Sequence, residues 1–581
     1  MNSLLHRLSL REKIGQTCQI HGKDLVGLNG DALADFFGKR PVGSLFLGNE
    51  VIGSESEAAP GLARFIAECQ AASRIPLSIA GDLENGAGGA IRGLTVFPHL
   101  LALAASNDPA AAYEYGRWTA AEACRIGFNW SFGPVVDLAF NWLNPIVNIR
   151  SLGQSPERVA ELAAALIRGS QDHGLSASAK HFPGDGVDFR DQHFCVSVNS
   201  LTEAEWKTSF GRVYARCFAP DTRVHAVMAG HVSLPWRDPE TGTGRAPLPG
   251  STSRPILTDL LRDEMGYDGV VVSDALIMAG FRGKASSRED LIVEGFNAGI
   301  DVMLWPGADY FEIMERALDQ GRITEARLDE SVARILTMKE RQGLLAKAPP
   351  ADKIAADVSP APASWAEPGA AAFARDVAER SLTLVENRAG LLPLDVKNVR
   401  HVQVLLATPY EKGVEKRIEP LLETLRERGV EVSLHVNGNC LDLRKREEAG
   451  ERFDVLLALF EMGMHGVKNT MRPAGPMAEC LWTLQGLETV KPIVVSCGTP
   501  YLLYDVPWAE TYVNAYSMGP STYRAVVRAL FGEIPFAGLS PIELEAATPW
   551  DVSIGRTLPK EAASISPVPS APDLALAEIS A

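Results

Sequence analysis

At 581 residues the chain is too long for one ordinary core, so two domains are expected, and its 46% of apolar residues is enough to bury both. Its 56 basic residues against 72 acidic ones give a formal charge of −16, which disfavours nucleic acid or an anionic membrane as partner and points to a small or neutral polymeric substrate. The opening MNSLLHRLSLREKIGQ lacks the apolar run and cleavage site of a signal peptide, and no segment reaches the roughly 18 apolar residues of a membrane helix. Eight cysteines are scattered without a Cys-x-x-Cys pair, so a cytoplasmic protein with reduced thiols is expected.

Along the first 310 residues, short apolar or β-branched segments alternate with longer helical patterns. The segments are 14–20, 42–48, 75–82, 128–137, 175–182, 226–235, 269–276 and 301–306. This alternation predicts a parallel sheet with helices outside it. Eight is the number of strands at which such a sheet closes, so an α/β fold with an N-terminal (β/α)8, TIM-like barrel is expected over 1–345. An open doubly wound sheet is the alternative, but its glycine-rich phosphate fingerprint follows none of the early strands. Residues 346–372, rich in Ala, Pro, Asp and Ser, predict a linker. Four further strands at 401–408, 430–436, 453–460 and 492–498 predict a C-terminal α/β domain over 373–557. The tail 558–581 is expected to be disordered.

In a parallel barrel, catalytic groups stand where strands end, because those ends converge on one face. Asp82 closes the third segment, Lys180 and His181 close the fifth, His231 lies near the end of the sixth, and Asp274 ends VVVSD. A lone aspartate of this kind can simply cap the next helix. Five polar residues converging on one face are harder to explain that way.

The loop 183–193, PGDGVDFRDQH, admits three readings. As a metal site it would offer His181, Asp185, Asp188, Asp191 and His193, but the spacing fits no standard ligand motif and Lys180 would repel a cation. As a bland turn it accounts for Pro183, Gly184 and Gly186 but not for Asp191-Gln192-His193. As a catalytic loop it supplies a histidine oriented by a carboxylate. The third reading is favoured, and no metal or other cofactor is expected.

Four motifs, GDLENGAGGAIR (81–92), NIRSLG (148–153), AKHFPGDGVDFRDQH (179–193) and VVVSDA (271–276), resemble glycoside hydrolase family 3, especially its β-N-acetylglucosaminidase branch. The likeness continues through 378–394 and 497–538, which resemble that family's second, α/β sandwich domain. The resemblance implies that Asp274 is the nucleophile of a covalent glycosyl-enzyme and that His193 is the acid/base, with Asp191 as its partner. It also implies that Asp82, Arg92, Arg150, Lys180, His181 and His231 hold the sugar. Lys180 and the arginines would keep Asp274 ionised, and Asp191 would favour the imidazolium of His193. Two positions depart from the pattern: Asp185 stands where histidine is usual and Gln192 where Ser or Thr is usual. The spacing from Asp82 to Arg92 is also two residues longer than is common.

The leading expectation is therefore a retaining exo-β-N-acetylglucosaminidase acting on a carbohydrate substrate, as monomer or homodimer. Alternatives are a glycoside phosphorylase, a β-glucosidase or β-xylosidase, and a non-enzymatic sugar-binding protein. A neutral imidazole repels an incoming phosphate less than a carboxylate would. In the second domain Glu461, Met462 and His465 could reach the barrel mouth, or could belong to a purely structural loop.

Overall fold

The computed structural model describes residues 2–544 except 49–57, 240–246, 283–286, 346–364, 411, 439–442, 444, 447, 464–470 and 487–489. Eight short strands overlap the eight expected segments, the first running one residue past its segment: β1 (Cys18–His21), β2 (Ser44–Phe46), β3 (Ser78–Gly81), β4 (Trp130–Ser131), β5 (Ser178–Phe182), β6 (Ala226–Ala229), β7 (Val270–Ser273) and β8 (Met303–Leu304). Five pair in the order β8-β1-β2-β3-β4 and three in the order β5-β6-β7, all parallel. Parallel bridges Trp130–Ser176 and Val135–Lys180 join the two arcs on one side, and Val272–Val302 joins them on the other. Neighbours thus follow chain order around a closed ring, the (β/α)8 barrel.

The first segment begins later as a strand than its apolar pattern suggests. Ser9 and Glu12 form a reciprocal capping box, in which Ser9 N–H donates to the Glu12 carboxylate and Ser9 Oγ accepts from Glu12 N–H. This cap starts the helix Leu10–Gln16, and β1 starts only at Cys18.

Strand parity decides which side chains reach the barrel interior. Ala80 of β3, Ala226 and Met228 of β6, and Val270 and Val272 of β7 meet Phe46, Trp130 and Phe132 inside. Their neighbours Ile79, Val227, Ala229 and Val271 face the outer helices. Asp82 and Asp274 continue the inward parity. His231 has the outward one.

The floor of the barrel is tied by Lys339, buried on the helix Glu325–Arg341. Its ammonium donates to Gln16 Oε1 at 2.6 Å, Gly43 O at 2.9 Å and Pro76 O at 2.6 Å, which lie just before β1, β2 and β3.

The second sheet has six strands, β9 (Thr383–Asn387), β10 (His401–Ala407), β11 (Glu431–Val436), β12 (Val455–Met462), β13 (Pro492–Gly498) and β14 (Thr511–Asn514). Their order is β9-β14-β13-β12-β10-β11, with only the β9–β14 pair antiparallel. Val402, Val404, Leu406, Val455, Leu457 and Leu459 pack on helices Val414–Arg426 and Pro520–Leu530. The alternate residues Leu405, Ala407, Leu456, Ala458 and Phe460 share a cluster with Leu101 and Ala105 of the barrel's helix Leu100–Ala105 and with Trp142 and Ile149 beyond β4. The barrel and the helix Pro476–Gly486 together therefore cover one face of this sheet, and each fully buried Leu or Phe there contributes about 1.5–3 kcal/mol.

The helix Pro368–Ser381 begins inside the stretch expected to be linker. Phe373 packs edge-to-face on Phe97 and Tyr115, and Trp365 is buried against the barrel core. Residues 346–364 of that stretch and the tail lie outside the described residues.

Candidate active site

The mouth of the barrel is built around Lys180. Its buried ammonium sits 2.9 Å from Asp82 Oδ1 and 2.5 Å from Glu84 Oε1. Glu84 also accepts two hydrogen bonds from Arg150, at 2.7 and 2.6 Å, and Arg150 donates a third to Ile146 O. Burial opposes the charge of Glu84, but Arg150 and then Lys180 outweigh it and hold the carboxyl far below its usual range. Burial likewise opposes the charge of Lys180 and Arg150, and the carboxylates around them reverse the balance, so both stay cationic. Asp82 remains 52% exposed at its side chain. A rigid cation and a half-exposed carboxylate suit the hydroxyls of a sugar.

Next to Lys180 the pairing of β5 with β6 slips by one residue, so that His181 is an extra residue in the strand. The Lys180–His181 and Phe182–Pro183 peptides are both cis. His181 is held by Asp137: its Nδ1–H donates to Oδ2 at 2.6 Å and its backbone N–H to Oδ1 at 3.1 Å. Oδ1 accepts a further bond from Asp185 N–H at 2.8 Å. Asp137, fully buried, thus shapes the whole turn.

Asp191 and His193 form the expected dyad. His193 Nδ1–H donates to Asp191 Oδ1 at 2.6 Å, and its backbone N–H donates to the same oxygen at 2.8 Å. Asp191 is buried, whereas the imidazole is 35% exposed. The hydrogen bond to Asp191 raises the pKa of His193 above the ordinary imidazole value against the opposing effect of burial. The loop docks on the segment after β7, where Ala279 N–H donates to His193 O at 3.0 Å and Gly280 N–H to Gln192 O at 3.1 Å.

Asp274 is half-buried at the end of β7 and accepts from Ala275 N–H at 2.8 Å. Burial works against its ionisation, but His181, His231, the Ala275 amide and Lys180 together take its pKa below the ordinary carboxylate value. A carboxylate whose ionised form is favoured thus stands near an imidazole whose protonated form is favoured.

Two expected sugar-binding residues differ from the rest in their exposure. His231 has a fully buried ring, and both its nitrogens are engaged: Nε2–H donates to Ala275 O at 3.2 Å and Nδ1 shares a 2.7 Å bond with Ser251 Oγ. Its outward strand parity explains the difference. It braces the turn beside Asp274, and burial lowers its proton affinity. Arg92 is exposed, beyond the turn Ala87–Gly89, while Arg150 and Lys180 are buried in the mouth.

Sequence reasoning missed Glu84 and Asp137. Asp137 ends the fourth apolar segment and obeyed the strand-end rule; Glu84 stands in GDLENG with no apolar frame around it. The side chains weighed as metal ligands have separate partners: Asp137 for His181, Arg190 for Asp188 and Asp191 for His193. Among the described residues no group of three or more His, Cys, Asp or Glu is placed to hold a metal ion. In the second sheet Glu461 is fully buried and paired with Arg417 on the face away from the barrel, whereas Met462 is buried in the cluster that this sheet shares with the barrel. His465 lies outside the described residues.

Comparison with known proteins gives a consistent answer. Residues 9–338 match the Glycosyl hydrolase family 3 N terminal domain. A Beta-N-acetylglucosaminidase/beta-glucosidase of Cellulomonas fimi is 34% identical over 85% of this chain and 88% of its own. A Beta-hexosaminidase of Pseudomonas aeruginosa is 32% identical over 44% of this chain and 74% of its own. Among solved structures, the beta-glucoside phosphorylase BglX superposes with a TM-score of 0.79 at 28% identity, covering 94% of this chain and 96% of the other. A glycoside hydrolase family 3 beta-N-acetylglucosaminidase from Paenibacillus has the same TM-score at 26% identity, covering 93% and 100%. With a family model matching more than half of its length and a relative of this similarity along most of it, the chain belongs to glycosyl hydrolase family 3 and is a glycosidase.

Proposed function

We propose that the protein is a retaining exo-β-glycosidase that releases terminal N-acetylglucosamine. The carboxylate of Asp274 attacks the anomeric carbon while His193 gives its Nε2 proton to the departing glycosidic oxygen, leaving a glycosyl ester on Asp274. His193, now neutral, takes a proton from water as the water attacks the same carbon, and the ester bond breaks. Two inversions give retention. The observation that carries this reading is the half-exposed His193, oriented by buried Asp191 and docked on the segment that follows Asp274. Lys180, Asp82, Arg150 and His181 would hold the sugar, Glu84 and Asp137 would fix those four, and Arg92 would meet the substrate from the rim.

Two relatives with the printed activity support N-acetylglucosamine as the sugar. The test is a panel of aryl β-glycosides that differ only at the 2-position. The acetamido sugar should be cleaved with the higher kcat/KM, and Asp274→Asn should abolish cleavage while sugar still binds. Equal or better cleavage of the glucoside would overturn the sugar assignment. Cleavage by Asp274→Asn at the wild-type rate would overturn the mechanism.

A second reading, phosphorolysis, is favoured by the likeness to BglX and by the chemistry of the dyad. After giving up its proton His193 is neutral and does not repel a phosphate anion. Adding inorganic phosphate should then speed turnover and yield the sugar 1-phosphate; an unchanged rate with free sugar as sole product excludes it.

A further inference from the structure

Gln192, the residue between the two members of the dyad, is pinned at three points. Its backbone oxygen accepts from Gly280 N–H at 3.1 Å, its side-chain oxygen accepts from His231 N–H at 2.9 Å, and its side-chain nitrogen donates to Asp185 Oδ2 at 3.4 Å. Asp185 is held just as firmly. Its Oδ1 accepts from Gly186 N–H at 2.6 Å and from Asn144 Nδ2 at 3.0 Å, and its own N–H donates to Asp137. Gln192 and Asp185 are each 1% exposed, beside an imidazole that meets solvent.

The three anchors come from three parts of the barrel: the loop after β5, the end of β6 and the segment after β7 that follows Asp274. They leave no slack. A Cβ at Gly280 would lie 2.5 Å from Gln192 O and 3.0 Å from His231 Cβ, and one at Gly230 would lie 2.9 Å from His181 Cβ. The direction of each bond is also fixed. If the Gln192 amide were reversed, its NH₂ would face the His231 N–H; if Asp185 were an amide, its NH₂ would face that of Gln192.

We propose that Gln192 and Asp185 form a latch that clamps the acid/base loop onto the nucleophile-bearing side of the barrel and so positions His193 for proton transfer. The proposal rests on the assignment of His193 as acid/base. The buried Gln192 amide has its bonds committed inside the protein and does not titrate, so its effect passes through the loop to the imidazole. An acid displaced by about 1 Å from the departing oxygen loses about 100-fold in rate.

Leaving-group dependence tests the latch. An alkyl alcohol needs a proton to depart, whereas 2,4-dinitrophenolate departs without one. Measured as kcat/KM with alkyl and 2,4-dinitrophenyl β-glycosides of one sugar, Gln192→Ala should lose about 100-fold on the alkyl substrate and less than about threefold on the activated one. Asp185→Asn should show the same pattern, and the double variant should be no worse than the worse single one, because both remove one device. Gln192→Asn, which keeps the amide but shortens its reach, should show the same split in smaller size and serves if Gln192→Ala does not fold.

Equal losses on the two substrates, no loss on either, or multiplying losses in the double variant would each overturn the latch. His193→Ala is the reference. If it shows leaving-group dependence and the Gln192 variants do not, the latch alone fails; if it shows none, the acid/base assignment fails and the latch with it.

Discussion

Glu84 and Glu461 are the same local device in two places. Each lies at or just beyond the end of a parallel strand, and each is gripped by Nε and Nη2 of one arginine, Arg150 at 2.7 and 2.6 Å and Arg417 at 2.9 and 2.7 Å. The remaining partners differ. Glu84 shares Lys180 with the half-exposed Asp82, whereas Glu461 accepts from the buried hydroxyls of Thr408, at 2.5 Å, and Tyr523. One pair holds groups at the barrel mouth; the other joins β12 and the end of β10 to the helices Val414–Arg426 and Pro520–Leu530. A buried Arg–Glu pair marks rigidity, and it marks chemistry only where partly exposed ionisable groups lean on it.

Removing each carboxylate should separate the two roles. Glu84→Ala leaves Arg150 without its main counter-charge and Lys180 with Asp82 alone, costing about 3–5 kcal/mol of stability and about 100-fold or more in kcat/KM as the sugar contacts lose their geometry. Glu461→Ala should cost a similar 3–5 kcal/mol yet leave kcat/KM of the folded enzyme within about twofold, since distant sites act independently. Urea unfolding together with aryl glycoside kinetics reads both. An active-site defect in Glu461→Ala would break the distinction.

Asp137→Asn tests whether the orienting carboxylate matters by charge as well as by shape. Losing a hydrogen bond to a charged group, about 1.5–3 kcal/mol, should lower kcat/KM about 10- to 100-fold, a smaller effect than Glu84→Ala. A pH profile separates the dyad from both. Asp274 must be ionised, and its depressed pKa places the acid limb of kcat/KM below the ordinary aspartate value of about 3.9. His193 must be protonated, and its raised pKa places the alkaline limb above the ordinary histidine value of about 6.5. Asp191→Asn should move that alkaline limb downward and leave the acid limb in place.

The smallest effect is on the pH dependence of stability, through Asp185, whose carboxyl is raised to about 7 by burial and by Asp137. Between the ordinary aspartate value of about 3.9 and about 7 the folded protein holds a proton that the unfolded chain has lost, so this group's contribution to stability declines as pH rises through that window. Asp185→Asn should flatten the decline in thermal unfolding measured across it.

Much of the barrel was legible because polar residues interrupt apolar runs where strands end, as at Asp82, Lys180 and Asp274. His231 follows the same pattern, yet its ring is fully buried with the outward parity of β6, which the apolar run alone does not reveal. Glu84 left no such trace, because its partners Arg150 and Lys180 lie 66 and 96 residues away in sequence and meet it only in three dimensions. In the second domain four strands were readable as apolar runs. The face each residue takes was not, because both faces of that sheet are covered and the period-two signal is erased. Asp185 and Gln192 first stood out only as departures from a motif; the structure shows that they touch.

Lys339 bears on the order in which the molecule is made. Its three acceptors precede the first three strands, yet the lysine sits 323 residues after Gln16, on the last helix of the barrel. On a chain emerging from its N-terminus, those buried oxygens wait without their donor until that helix has been synthesised, and contacts of such long sequence separation form slowly. The floor of the barrel is thus fastened late, when nearly all of the barrel's own chain is present.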